Sequence, residues 1–68
     1  MEVNVNAQDD SGLTAVMLAA LQNEVGVVKV LLEKKADTTL RDKKGRDALA
    51  WAKEFNNRET IELLSNIK

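Results

Sequence analysis

The chain has 68 residues, a formal net charge of −1, and no cysteine, histidine or tyrosine. Disulfides and cysteine or histidine metal sites are therefore excluded, few side chains remain for catalysis near neutral pH, and the even charge balance disfavours nucleic acid as a partner. No apolar run approaches the roughly 20 residues that span a membrane, and the first residues lack the pattern of a signal peptide. We expect a non-catalytic intracellular protein, cytoplasmic or nuclear, with no cofactor, no metal and no membrane contact.

The first half of the chain predicts a turn followed by two short helices. An Asp-Ser-Gly sequence favours a turn in which Gly12 adopts a positive φ. Thr14 is a suitable N-cap for a helix over 15–22, and Asn23 is suited to the left-handed residue that ends such a helix. Valines and leucines at helical spacing then predict a second helix over 25–34.

The second half predicts the same order of elements. Residues 36–42 form an extended, turn-like connection, and a Lys-Lys-Gly turn follows at 43–45. Asp47 is a suitable N-cap for a helix over 48–55. Apolar residues at helical spacing predict a last helix over 58–67.

The two halves are copies of one 33-residue unit. Residues 9–35 align without a gap on residues 42–68, and seven of the 27 aligned pairs are identical, several times what unrelated segments give. Asn23 aligns with Asn56, which we expect to end its helix in the same left-handed conformation. A period of this length is typical of solenoid proteins built from stacked helical units.

The unit resembles the ankyrin repeat. Residues 12–20, Gly-Leu-Thr-Ala-Val-Met-Leu-Ala-Ala, look like the family's G-x-T-P-L-H-x-A-A motif. Residues 27–33, Val-Val-Lys-Val-Leu-Leu-Glu, look like its V-V-K-L-L-L segment, and Ala36-Asp37 look like its A-D pair. The resemblance covers essentially the whole chain. It implies an all-α fold, an ankyrin-repeat solenoid of two helix-turn-helix units with extended turn tips between them, in a single domain over 1–68.

Some positions depart from the family pattern. Ala15 and Ala48 stand where the family has proline at the first helical position, and Met17 and Ala50 stand where it has histidine. That histidine usually makes hydrogen bonds between neighbouring loops, so we expect the polar network between repeats to be absent. Lys35 occupies a glycine position, where a positive φ would strain a lysine by about 1 kcal/mol.

The two units differ in a way that predicts their places in an array. Residues 5–8 align with residues 38–41, the tail end of a unit, and residues 1–8 are interpreted as the remnant of a preceding one. Residues 9–41 form repeat 1, of internal type, whereas 42–68 form repeat 2, of C-terminal-cap type, because polar residues replace apolar ones in its helices. We expect a C-terminal fragment of a longer array, or an engineered repeat pair. Its bare N-terminal face on repeat 1 would self-associate or leave the chain weakly folded.

The resemblance implies that a protein partner contacts the turn tips and the exposed side of the first helix of each unit. Mapped onto this sequence, the expected partner-binding positions are Asp10, Ser11, Leu13, Leu21, Gln22, Arg41, Lys43, Lys44, Arg46, Glu54 and Phe55. Leu13, Leu21 and Phe55 are apolar at positions that the fold should expose, which makes them candidate anchors. The alternative is that they are isolated surface residues or pack against neighbouring tips.

Four cations form a basic tip that is broken by Asp42: Arg41, Lys43, Lys44 and Arg46. An acidic partner is one interpretation of this tip, and a solvated turn is the other. No aromatic residue interleaves these charges, which argues again against nucleic acid.

Three further features have a structural and a functional interpretation. Trp51, the only tryptophan, is expected to pack in the core, with an interface anchor as the alternative. The carboxylate pairs Asp9-Asp10 and Glu59-x-x-Glu62 are of the kind that hold metals or transfer protons, but a turn and an exposed helix face favour solvated charge.

The sequence therefore predicts a non-catalytic protein–protein interaction module. Its expected mechanism is a rigid concave surface on which Leu13, Leu21, Arg41 and Phe55 are the leading contacts. The competing interpretation is a truncated or engineered repeat fragment whose main behaviour is folding and self-association. An enzyme is disfavoured because no set of residues resembles a catalytic constellation.

Overall fold

The computed structural model describes residues 5–66, and this part of the chain folds as two helix pairs. The helices are α1 (Ala15–Leu21), α2 (Val25–Glu33), α3 (Ala48–Glu54) and α4 (Arg58–Ser65). Within each pair the helices pack on each other, and between pairs α1 packs against α3 and α2 against α4. The pairs are thus stacked side by side, and the predicted all-α solenoid is confirmed.

The helices begin where predicted and end slightly earlier. Residues 22, 34 and 55, expected as the last helical residues of α1, α2 and α3, are C-cap residues instead. The last helix ends at Ser65 with Asn66 as its C-cap, and the remaining predicted residue, 67, lies outside the described residues. Each helix therefore ends where the chain turns into the next connection.

Side-chain caps begin the first helix of each pair, as predicted. The hydroxyl of Thr14 accepts a hydrogen bond from the Met17 N–H at 3.3 Å, and the carboxylate of Asp47 accepts one from the Ala50 N–H at 2.9 Å. Each cap satisfies a backbone donor that the first turn of a helix leaves without a partner. No such side-chain bond caps α2 or α4.

The chain reverses direction at residues with positive φ. Gly12 and Gly45 have φ angles of 85° and 82°, while Asn23 and Asn56 have angles of 58° and 56°. These are the positions predicted for the tips and for the ends of α1 and α3. Lys35 has a φ of 62°, which confirms the expected left-handed conformation at a position where a side chain is strained.

The core lies between the two pairs and is built largely from small side chains. Its buried apolar residues are Val16, Met17, Ala19, Ala20, Val28, Ala48, Ala52 and Leu64. Half of them are alanines, which let the helices of neighbouring pairs approach closely. Because each helix is short, its stability rests mainly on this packing rather than on its own propensity.

Large apolar side chains remain exposed on both helices of the first pair. Leu18 on α1 and Val27 and Val30 on α2 are large apolar residues that are substantially exposed. Beside α2 lies a groove of about 840 Å³, lined by Val5, Gly26, Val27, Val30, Leu31 and Lys34. We call Val27 and Val30, which both line this groove, the apolar face of the first pair; that it is the bare face expected to self-associate stays a prediction.

Candidate binding surface at the turn tips

Tip 1 (residues 9–13) is held in shape by a single aspartate. The Asp9 carboxylate accepts hydrogen bonds from the backbone N–H groups of Ser11 at 2.8 Å and Leu13 at 2.9 Å. The Gly12 N–H donates to the Asp9 carbonyl at 2.8 Å. Asp9 was expected to be no more than solvated charge, but it organises the turn by the side-chain-to-backbone bonding typical of aspartate.

Tip 2 (residues 42–46) repeats this arrangement and ties it to α3. One carboxylate oxygen of Asp42 accepts from the N–H groups of Lys44 and Arg46, both at 2.9 Å. The other accepts from the indole N–H of Trp51 at 2.9 Å. The pKa of Asp42 lies below its usual value, and the hydrogen bond from the Arg46 N–H contributes most to this lowering. The Lys44 N–H, the indole of Trp51 and the charge of Arg46 lower the pKa further. Desolvation acts in the opposite direction and raises it.

Asp42 therefore does not break the basic tip in the way that the sequence suggested. Only 8% of the residue is exposed, because its carboxylate is directed into the turn and toward α3. Lys43 and Lys44 remain exposed, and Arg46 is half-buried. Along this tip the exposed charged side chains are cationic.

Hydrogen bonds also join the two tips, so the expected absence of a polar network between repeats is wrong. The Lys43 N–H donates to the Ser11 carbonyl at 3.0 Å. The side-chain amide of Gln8 donates to the carbonyls of Gly12 at 2.9 Å and Arg41 at 2.8 Å. A glutamine and the backbone thus connect the loops, with no histidine needed.

Other hydrogen bonds connect distant parts of the chain away from the tips. The Asn57 side-chain amide donates to the Ala20 carbonyl at 2.6 Å, which links the start of α4 to the end of α1. The Asn6 side chain accepts from the Asp37 N–H at 2.7 Å. The segment before tip 1 is thereby fixed against the connection between the two helix pairs.

A groove lies between the tips and brings together five of the predicted binding positions. It has a volume of about 380 Å³ and is lined by Asp10, Ser11, Leu13, Asp42, Lys43, Lys44 and Trp51. We call it the tip groove. Asp42 and Trp51 were not among the predicted positions. The identity of Asp42 with Asp9 across the repeat and the uniqueness of Trp51 were the signals that could have added them.

Trp51 lies at the centre of a small cluster with Arg46 and Phe55. The Arg46 guanidinium carbon is 4.8 Å from the centroid of a Trp51 ring. The Phe55 ring is nearly parallel to that of Trp51, with an interplanar angle of 8° and centroids 6.1 Å apart. Trp51 is half-buried against the core, as the expected core packing requires, and it also lines the groove; its role as an interface anchor stays a prediction. Phe55 is 52% exposed, as expected.

The remaining predicted positions do not line the groove. Gln22, Arg41 and Glu54 are exposed, whereas Leu21 is half-buried rather than exposed as expected. The expectation of an exposed Leu13 is also wrong, because this side chain packs against the core from the position before the Thr14 N-cap. Apolar residues at that position commonly pack on the helix that follows.

The side chains of the two acidic pairs are exposed or bonded within their own turn. Asp10, Glu59 and Glu62 are exposed, and Asp9 is bonded to its own turn. Among residues 5–66 no group of three or more acidic side chains is placed to hold a metal ion. In the same part of the chain, none of the helices has the length and apolar character required to span a bilayer.

Comparison with known proteins gives related sequences along the whole chain. A sequence model of the family described as ankyrin repeats (3 copies) matches residues 1–68. Protein HOS4 of Saccharomyces cerevisiae is 44% identical over 68 residues, covering 94% of this chain and 6% of HOS4. Human M-phase phosphoprotein 8 is 38% identical over 60 residues, covering 88% of this chain and 7% of that protein.

A viral relative and a solved structure extend the comparison. The putative ankyrin repeat protein FPV219 of fowlpox virus is 50% identical over 40 residues, covering 59% of this chain and 9% of its own length. The chain therefore spans less than a tenth of these relatives. One chain in the complex of a predatory endopeptidase from Bdellovibrio bacteriovorus with an immunity protein superposes with a TM-score of 0.91 at 36% identity, covering 94% of this chain and 33% of that one. With a matching family model over its whole length and this fold, the chain belongs to the ankyrin repeat family.

Proposed function

We propose that this chain is a non-catalytic module that binds a protein partner through the tip groove and the neighbouring Phe55. The single observation that carries the proposal is the convergence of exposed tip residues, Trp51 and Phe55 on one surface. Ankyrin repeats are in general protein–protein interaction modules, and the solved neighbour is a complex of two proteins. An intracellular location is part of the proposal and is in keeping with the absence of cysteine.

The rigidity of the tips supports this function physically. Asp9 and Asp42 each fix their own turn by two side-chain bonds, and the Lys43 N–H fixes one turn against the other. A surface that is already ordered loses little conformational freedom when a partner binds, so more of the contact energy remains as affinity. Trp and Arg, which meet here at Trp51 and Arg46, are also the residue types that most often dominate binding energy.

Two matched substitutions test the proposal. Phe55→Glu places a charge beside Trp51, whereas Val30→Glu places the same charge on the apolar face of the first pair; the native residues are 52% and 48% exposed. Both variants should keep the parent's circular dichroism. The parent and Val30→Glu should capture the same protein by chemical cross-linking in a cell extract, and Phe55→Glu should lose it. Capture that survives in Phe55→Glu would contradict the proposal.

Self-association is a second candidate behaviour, supported by the apolar face of the first pair. Val27 and Val30 are about half exposed and line one groove beside α2, and a second copy of the chain could cover them. Sedimentation across about a hundredfold dilution should then show a concentration-dependent mass. Val30→Glu should abolish this association and Phe55→Glu should not. A single monomer mass at every concentration would rule it out.

A further inference from the structure

The charges around the tip groove are unequally distributed between its two sides. On tip 2, Lys43 and Lys44 are exposed and make no ion pair with any described residue. Asp42, the first residue of tip 2, has both carboxylate oxygens occupied by N–H donors. On tip 1, the exposed charge that lines the groove is Asp10. The groove thus has a cationic side and an acidic side.

The cationic side lies next to an apolar surface. Leu13 and Trp51 line the groove, and Phe55 extends the aromatic surface from Trp51 toward solvent. The Arg46 guanidinium lies over the Trp51 ring, where it adds positive charge close to this surface. A ligand that satisfies both features carries negative charge and at least one large apolar side chain.

We infer that the tip groove recognises an acidic peptide segment with a large apolar residue, whose carboxylates lie along Lys43 and Lys44. The inference rests on the proposed function and specifies its partner. The apolar residue of the peptide contacts Trp51 and Phe55. Asp10 repels acidic residues on the opposite side of the groove, which keeps the carboxylates of the segment on the side of Lys43 and Lys44.

The test uses Trp51, the only tryptophan of the chain, as an internal reporter. The probe is a labelled peptide of about ten residues, roughly 33 Å when extended, made of Glu and Asp with a central Leu. Matched peptides replace its acids by Lys or its Leu by Ala. Label anisotropy measures binding, and a change in Trp51 emission locates the peptide at the groove.

The variants give opposite expectations. Lys43→Glu with Lys44→Glu should weaken binding of the acidic peptide about tenfold at low salt. An exposed ion pair contributes up to about fivefold in affinity, and reversing the charge turns attraction into repulsion. Asp10→Lys should tighten binding of the same peptide by about two- to fivefold. The control, Lys29→Glu on α2 with Lys34→Glu at its C-cap, places equal charge elsewhere and should leave binding unchanged.

Several outcomes would overturn the inference. One is equal binding of the acidic and basic peptides, and another is an unchanged affinity of the acidic peptide for Lys43→Glu with Lys44→Glu. A third is equally tight binding of a single-stranded oligonucleotide, which would indicate non-specific attraction of polyanions. If the acidic peptide fails while Phe55→Glu still loses a captured protein, the inference is wrong and the proposed function stands. If Phe55→Glu retains its capture, the proposed function fails as well.

Discussion

Gly12 and Gly45 occupy equivalent positions in the two tips, and substituting each by alanine separates two physical effects. Both have a positive φ, of 85° and 82°. A Cβ at Gly12 would lie 2.8 Å from the Cα of Asp42 and 2.8 Å from the N of Lys43, whereas a Cβ at Gly45 would meet no atom within 4 Å. Gly45→Ala therefore reports backbone strain alone, and Gly12→Ala reports strain together with a clash against the neighbouring tip.

The two variants should differ by more than twofold in how much free energy of unfolding they lose. Left-handed backbone costs alanine about 1–2 kcal/mol at either position. Ordinary contact begins at 3.4 Å, so tip 2 would have to move by about 0.6 Å at Gly12, which overpacks the site by about 1–3 kcal/mol. The movement also weakens the hydrogen bond from the Lys43 N–H to the Ser11 carbonyl, which contributes about 1 kcal/mol to the free energy of unfolding. Gly12→Ala should thus lower the free energy of unfolding by about 3–6 kcal/mol.

Urea unfolding followed by helical circular dichroism measures both variants. A domain of this size rarely has more than about 3–5 kcal/mol of stability from its core, so Gly12→Ala should be largely unfolded without denaturant. Gly45→Ala should retain a cooperative transition at a lower midpoint. Equal midpoints for the two variants would refute the reasoning, because they would show that the clash of the added Cβ with tip 2 costs no stability.

Three further predictions concern other bonds of the fold. Asp47→Ala removes the N-cap of α3 and should lower the free energy of unfolding by about 1 kcal/mol. Asp47→Ser keeps a capping side chain and should nearly retain the parent's stability. If urea unfolding gave the same loss for both variants, it would contradict a capping role. Asn57→Ala removes the bond to the Ala20 carbonyl and should lower Tm by about 5 °C, so an unchanged Tm would show that this bond adds no stability. Because the pKa of Asp42 is lowered in the folded chain, its contribution to stability is complete above its ordinary value of 3.8 and is lost as pH falls through the lower folded value. Asp42→Asn should therefore be less stable at pH 7 and lose less on acidification; parallel stability profiles between pH 7 and pH 2 would argue against this.

Local features of the fold could be predicted because the residues that cause them are close in sequence. Thr14 and Asp47 bond to N–H groups three positions ahead, and that geometry requires only the first turn of a helix. The left-handed residues Asn23 and Asn56 likewise follow from the need to end a helix. The 33-residue period placed these signals in equivalent positions, so the sequence alone determined the solenoid and the order of its helices.

The tertiary structure alone decided how the tips meet. Whether Leu13 is exposed depends on how the core closes around it, and whether Asp42 faces solvent depends on the indole of Trp51 from α3. The bond between the backbones of Ser11 and Lys43 joins residues 32 positions apart and involves no side chain that a sequence motif could reveal. The groove exists because the stacking of the two helix pairs sets the distance between the tips. The residues of neither tip determine that distance by themselves.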